Sequence, residues 1–136
     1  MELAAAPAFW YLRKWDYSAG QKPKIMLANS KHIAKKIKDY YSRDVEVVYP
    51  PVDLKVFYRD PKIKKQGYFL AVGRMVHYKK FDLVISAFNR LNLPLLIVGG
   101  GPESENLKKL VRSSKIKFLP FAGENELRNL YNGAEA

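Results

Sequence analysis

The side chains best suited to chemistry cluster in the stretch AVGRMVHYKKFD, Ala71–Asp82, where Gly73-Arg74 stands five residues ahead of the pair Lys79-Lys80. A guanidinium grips phosphate oxygens as a planar fork, and a lysine adds a mobile point charge. Gly73 lets the backbone turn sharply and approach a ligand, and a helix starting after the lysines offers free N–H groups and its positive dipole end. One diphosphate would engage all of these. A plain basic surface loop accounts for the same residues. A second stretch, VGGGPE (98–103), carries Gly99, Gly101 and then Pro102 at a first helical position, without the G-x-G-x-x-G dinucleotide fingerprint. Its glycines serve either a close ligand or a tight turn. In a third, LPFAG (119–123), Pro120 precedes Phe121, an aromatic placed to stack on a base or to pack inside. His77 reads as a solvent-exposed side chain, and Asp82 as a complement to the helix dipole. No carboxylate pair, Ser/His/Asp set or metal-ligand spacing occurs elsewhere.

Those three loops gain meaning from the elements around them. Continuous apolar strands are expected at 68–72 (YFLAV), 95–98 (LLIV) and 116–119 (IKFL). Each leads through one of the loops to an amphipathic helix, near 80–91, 103–112 and 124–132. In the first helix Phe81, Val84, Phe88 and Leu91 are expected to face inward; in the second, Leu107, Leu110 and Val111. Alternation of this kind specifies parallel strands joined by right-handed crossovers, half of a doubly wound α/β sheet whose ligands sit beyond the strands' C-terminal ends. Upstream, residues 9–17 read as an amphipathic helix ended by Gly20 and Pro23. Strands at 24–28 and 45–49 flank a helix over 31–41 that Asn29 or Ser30 can cap. Between Pro50 and Gly67 prolines and charges show no period, so a linker is expected.

Composition bounds the function. The 136 residues contain no cysteine, which removes disulfides, thiol catalysis and cysteine-bound metal, and the two histidines lie far apart, so no metal is expected. The formal charge is +11, spread along the chain. It favours anionic partners, or belongs to a lysine-rich surface of the heat-adapted type. Aromatic and basic residues do not interleave as single-stranded nucleic-acid binding requires, so no specific nucleic acid is expected. No apolar run approaches the roughly 20 residues of a membrane span. The start, MELAAAPAFWYLRKW, lacks the basic n-region of a signal peptide. The expectation is a cytoplasmic chain, with peripheral contact at the inner face of the membrane left open.

Taken in order, LANSKHIAKKI, VVYPPVDLKVF, YFLAVGRMVHYKKFDLVISAF, LLIVGGGPESENLKKL and IKFLPFAGENELRNLY resemble the family 4 retaining glycosyltransferases, from about Tyr11 onward. The portion from WDYSAG to YYSRDVEVVYPPVD looks most like the mannosyltransferase branch that builds surface polysaccharides. The resemblance implies the GT-B fold, two Rossmann-like domains facing across a cleft, and a nucleotide diphosphate sugar, GDP-mannose favoured, as donor to a glycan or lipid-linked acceptor. It implies that Arg74 and Lys79 bind the donor diphosphate and stabilise it as it leaves, with Lys80 standing where the family usually has glycine. Gly99, Gly101 and Pro102 match the G-x-G-P turn, and Pro120 and Phe121 the loop bordering the base; the family often has glycine where Pro120 stands.

The same resemblance implies a fragment. Residues 1–50 correspond to a remnant of the N-terminal acceptor domain, 51–67 to the interdomain linker and 68–136 to the first half of the donor domain. The family's paired-glutamate motif, which holds the donor sugar and ribose, has no match in this sequence. A fourth strand is expected to be missing from beside 68–72, leaving a long apolar edge. Activity would then need a partner chain carrying the missing half.

Overall fold

The computed structural model describes residues 6–136, so the start of the expected 1–50 remnant lies outside the described residues. The chain divides into two compact units, one reaching Val52 and one running from Asp53 to Ala136.

In the first unit, helix α1 (Ala6–Gln21) precedes strand β1 (Leu27–Ala28), helix α2 (Lys31–Tyr41) and strand β2 (Glu46–Val47). Ser30 caps α2: its Oγ accepts from the Ile33 N–H at 3.2 Å, occupying one of the donors that a helix start leaves free. The two strands pair in parallel around α2, as a βαβ unit requires. Two expectations need correcting. Gly20 does not end α1; it lies within the helix, because the Tyr41 ring occupies the space that a Cβ there would take. The five-residue strands shrink to two residues each, since among the described residues β1 and β2 have only each other to pair with.

The second unit carries strand β3 (Phe69–Val72), a 3-10 turn (His77–Lys79), helix α3 (Phe81–Leu91), strand β4 (Leu95–Val98), helix α4 (Ser104–Lys109), strand β5 (Ile116–Leu119) and helix α5 (Glu124–Gly133). The sheet order is β3-β4-β5, all parallel. This is the three-unit α/β arrangement expected from the alternation of strands and helices. The core gathers Met75, Phe81, Ile85, Leu95, Ile97, Leu107 and Ile116, with Phe69, Val84, Phe88, Val111 and Phe118 packed against it. Ile85 is fully buried, whereas Leu91, expected inward, is 58% exposed because it sits on the last turn of α3. Helix α4 is shorter than expected, and Leu110 just beyond it is exposed.

The pattern-free stretch before β3 carries no helix or strand, yet α5 holds it in place. The Asp60 N–H donates to Asn132 Oδ1 at 2.8 Å, Asn132 Nδ2 donates to the Tyr58 carbonyl at 3.0 Å, and the Phe57 and Tyr131 rings meet edge to face. Beyond α5 the chain returns to β3. Ala134 bridges Tyr68 in parallel, the Glu135 N–H donates to the Tyr68 carbonyl and the Leu70 N–H to the Ala136 carbonyl, each at 2.8 Å. The expected bare edge is therefore corrected: at Tyr68 and Leu70, residues 134–136 already supply the first pairings of a fourth strand, on the side of β3 away from β4.

Candidate functional site

Because β3, β4 and β5 run parallel, their following loops emerge at one end of the sheet. Backbone hydrogen bonds then stitch those loops together. The Gly73 N–H donates to the Val98 carbonyl at 3.0 Å and the Met75 N–H to the Gly100 carbonyl at 2.9 Å. The Glu103 N–H returns to the Met75 carbonyl at 3.2 Å, and the Gly99 N–H reaches the Leu119 carbonyl at 2.9 Å. Loop one is thus tied to loop two, and loop two to the end of β5.

The glycines of loop two are required by this closeness. A Cβ at Gly99 would run into the Gly73 carbonyl, and one at Gly101 into the Met75 backbone. Gly99 also has φ +127°, outside the range an L side chain adopts without strain. Neighbouring backbone, more than a tight turn, explains them.

Two residues that sequence reasoning passed over hold the loops in place. Met75, 1% exposed, plugs the core beneath the Arg74 turn while its backbone makes two of the cross-loop bonds. Ser104 Oγ accepts from the Gly101 N–H at 2.9 Å and lies 2.7 Å from the Gly101 carbonyl and 3.3 Å from Met75 Sδ, within reach as a donor to either. The signal for Met75 was the apolar pair Met75-Val76 inside a basic loop. For Ser104 it was a hydroxyl residue three positions after Gly101, the spacing at which serine bonds nearby backbone.

The cations ride on this scaffold. Arg74, Lys79 and Lys80 are all exposed, and none forms an ion pair or side-chain hydrogen bond among the described residues. Lys79 Nζ lies 5.7 Å from the centre of the Tyr78 ring, a weak cation–π contact at an exposed site. Lys80 closes the 3-10 turn, its N–H donating to the His77 carbonyl, and adopts φ +55°, ψ +39° immediately before α3. Left-handed backbone is the conformation glycine adopts at no steric cost, so a glycine would fit this position without strain. His77 is exposed, and Asp82 occupies the first turn of α3 as the dipole argument expects.

In the third loop Phe121 is 78% exposed, so interior packing does not account for it. Pro102 and Pro120 are likewise exposed. Gly73, Arg74, Gly99 and Gly101 are brought together by the cross-loop bonds, and Pro120 follows the Leu119 carbonyl that receives the Gly99 N–H. Among the described residues no group of three histidines or carboxylates could hold a metal ion. The arrangement offers a rigid backbone rim, unpaired cations on its first loop and a bare aromatic ring on its third. Such a rim can bind an anion attached to a flat ring.

O-antigen chain mannosyltransferase C of Escherichia coli is 32% identical over 57 residues, covering 42% of this chain. The match spans only 15% of that protein's length. A family model described as glycosyl transferases, group 1, matches residues 56–136, which take in all three loops and every strand of the second unit. With more than half its length matched, the chain belongs to the group 1 glycosyl transferases, and its parallel α/β unit is of the Rossmann-like type found in GT-B enzymes.

Proposed function

We propose that this chain provides the diphosphate-binding part of the donor site in a retaining hexosyltransferase, with GDP-mannose as donor and a glycan or lipid-linked acceptor. The observation that carries the reading is the unpaired state of Arg74 and Lys79 on a loop locked to its neighbour by backbone hydrogen bonds. When the bond from the sugar to the diphosphate breaks, negative charge grows on the departing phosphate oxygen. Cations carried on a loop whose backbone is already held nearby can offset that growing charge, and so lower the barrier more than the ground state. Arg74 supplies the fork and Lys79 the second charge, with Lys80 as its neighbour. Gly73, Gly99, Gly101 and Pro102 shape the floor, and Pro120 and Phe121 border the base. Residues 1–50 then represent acceptor-domain structure, 51–67 the connection and 68–136 the donor half, on the cytoplasmic side of a membrane carrying the acceptor.

Thermal melting with GDP, UDP and GDP-mannose tests this. GDP is expected to raise the melting temperature, and Arg74→Ala to abolish the rise at unchanged basal stability. A flat response to every nucleotide refutes the donor-site reading. The alternative reading is a nucleotide-sugar binding module without transfer. Binding of GDP-mannose without release of mannose to any acceptor identifies that case; a chain supplying the glutamate pair should restore transfer if the first reading holds.

A further inference from the structure

Residues 53–67, which show no period in the sequence, are wound into turns and held against α5 at a few points. The Asp53 carbonyl accepts from the Val56 and Phe57 N–H groups at 3.2 and 2.8 Å, and the Asp60 carbonyl from the Ile63 N–H at 3.2 Å. Asn132 grips the chain between those turns, accepting from the Asp60 N–H and donating to the Tyr58 carbonyl. Arg128, one helical turn earlier, donates to Tyr58 Oη at 3.1 Å with its guanidinium 4.8 Å from the centre of that ring. Further on, the Gln66 N–H donates to the Gly133 carbonyl at 2.8 Å.

Apolar burial adds little to this hold. None of residues 53–67 is buried, and only Val56, Phe57, Asp60 and Ile63 are half-buried. Hollows of about 250 and 450 Å³ open beside Tyr131 and Asn132, the first walled by Phe57, Tyr58 and Arg128, the second by Pro61, Ile63 and Lys65. A segment with few buried apolar contacts and exposed hydrogen bonds opens at lower cost than core strands such as β4, where Leu95 and Ile97 are buried. We propose that residues 57–66 form a releasable strap, latched to α5 by Asn132, that opens as one piece while the β3-β4-β5 sheet stays folded. The consequence is reach. Tyr49–Val52 make no hydrogen bond among the described residues, so with the strap latched they are the free tether between the two units and span at most ~14 Å. Released, the tether runs from Tyr49 to Lys65 and spans up to ~60 Å. The strap thus sets how far the two units can separate. The proposal goes beyond the donor reading and does not rest on it, since no residue of the three loops takes part.

Native-state hydrogen exchange of the full chain tests this. The Asp60 and Gln66 amides are expected to exchange through one common opening, insensitive to low urea and at least roughly tenfold more frequent than the opening that frees the Phe69 and Leu95 amides of the sheet. Asn132→Ala removes two hydrogen bonds from the strap, so it should speed exchange of Asp60 and Gln66 on the order of tenfold and leave Phe69 and Leu95 unchanged. Asn132 also donates to the Arg128 carbonyl inside α5, so Phe57→Ala checks the result from the strap side. It deletes the ring that meets Tyr131 and should speed the same two amides alone. Combining the two substitutions should raise the radius of gyration in small-angle X-ray scattering. Exchange of Asp60 and Gln66 only together with the sheet amides overturns the strap, as do variants that speed all four amides equally. A parent-like radius of gyration in the combined variant overturns the reach.

Discussion

Alanine scanning of four glycines tests whether cross-loop closeness, and not turn geometry alone, fixes the rim at the C-terminal ends of β3 and β4. The four differ in which burden a Cβ would meet. Gly123 has φ −67° and open space around it; Gly67 has φ +74° and open space. Gly101 has Met75 backbone in the way, and Gly99 has both φ +127° and the Gly73 carbonyl against it. Removing a glycine stabilises by roughly 0.4–1 kcal/mol through the unfolded chain. Left-handed backbone costs about 1–2 kcal/mol for an L residue, so Gly67→Ala should destabilise by about 0.5–1 kcal/mol net, and Gly123→Ala should be neutral or slightly stabilising. At Gly99 the φ lies beyond the left-handed well, a strain of about 1–3 kcal/mol, and the backbone must also part from Gly73. Separation weakens the Gly73-to-Val98 and Gly99-to-Leu119 hydrogen bonds, each worth about 1 kcal/mol. The sum is about 3–4 kcal/mol for Gly99→Ala, with Gly101→Ala somewhat less. For a unit of this size that corresponds to a fall of roughly 12–32 °C in melting temperature. Urea titration of the four variants gives the ranking directly. Gly99→Ala within about 0.5 kcal/mol of the parent, the range of an ordinary surface change, would refute the reasoning.

Two further perturbations bear on the site and its surroundings. Lys80→Gly releases a left-handed lysine and should stabilise by about 0.5–1 kcal/mol in urea, the steric relief exceeding the glycine's added unfolded entropy; the same variant should keep its response to GDP, while Lys79→Ala loses it. The hydrogen bond from Tyr41 to Asp16 holds the Tyr41 phenol above its usual range, with burial and the nearby carboxylate charge adding to the effect. A raised phenol pKa means stability that is present below the unfolded value and lost as pH rises through the folded one. Burial raises Tyr68 as well, so ultraviolet titration should show late-ionising tyrosines of which one disappears in Tyr41→Phe; parent and variant titrating alike would remove the hydrogen bond from the account.

Strands β4 and β5 were legible to the residue: four apolar positions in β4, and three in β5 with Lys117 among them, are bounded by Pro94, Gly99, Lys115 and Pro120 and admit little else in a parallel sheet. Helix α2 was equally plain, since Ser30 caps it and its apolar positions recur at helical spacing. What failed depends on partners that no local pattern names. Gly20 reads as a helix end until Tyr41, distant in sequence, is seen to need its bare Cα. The tail at 134–136 is too short and mixed to read as a strand, and only the free edge of β3 makes it pair. Of the candidate site, the cations and glycines were visible by type and spacing. Met75 and Ser104 were not, because their part is played by backbone groups and a buried sulfur that position loops one and two.

Burial of Met75 and exposure of Arg74 are two consequences of one local geometry. The Met75 N–H and carbonyl are both bound by loop two, so the residue cannot rotate to bring its neighbour inward. Its side chain fills the core under the turn, and Arg74 is left at the solvent edge without a carboxylate to neutralise it among the described residues. A cation that found an internal partner would have to give it up before gripping phosphate, and the exchange would cancel most of the gain. Holding the backbone tightly while leaving the side chain unpaired keeps the charge available and the loop fixed at once. That combination is what electrostatic stabilisation of a departing diphosphate requires. It also predicts where the site is fragile: a change at Ser104, which would not touch phosphate, should weaken GDP binding by freeing the loop that aims Arg74. Ser104→Ala removes the hydroxyl that meets Gly101 and Met75. It should lower GDP affinity several-fold at the cost of about 1 kcal/mol in stability, the worth of one part-buried hydrogen bond. Unchanged GDP affinity in Ser104→Ala, measured where Arg74→Ala loses it, would show that loop two does not position the arginine.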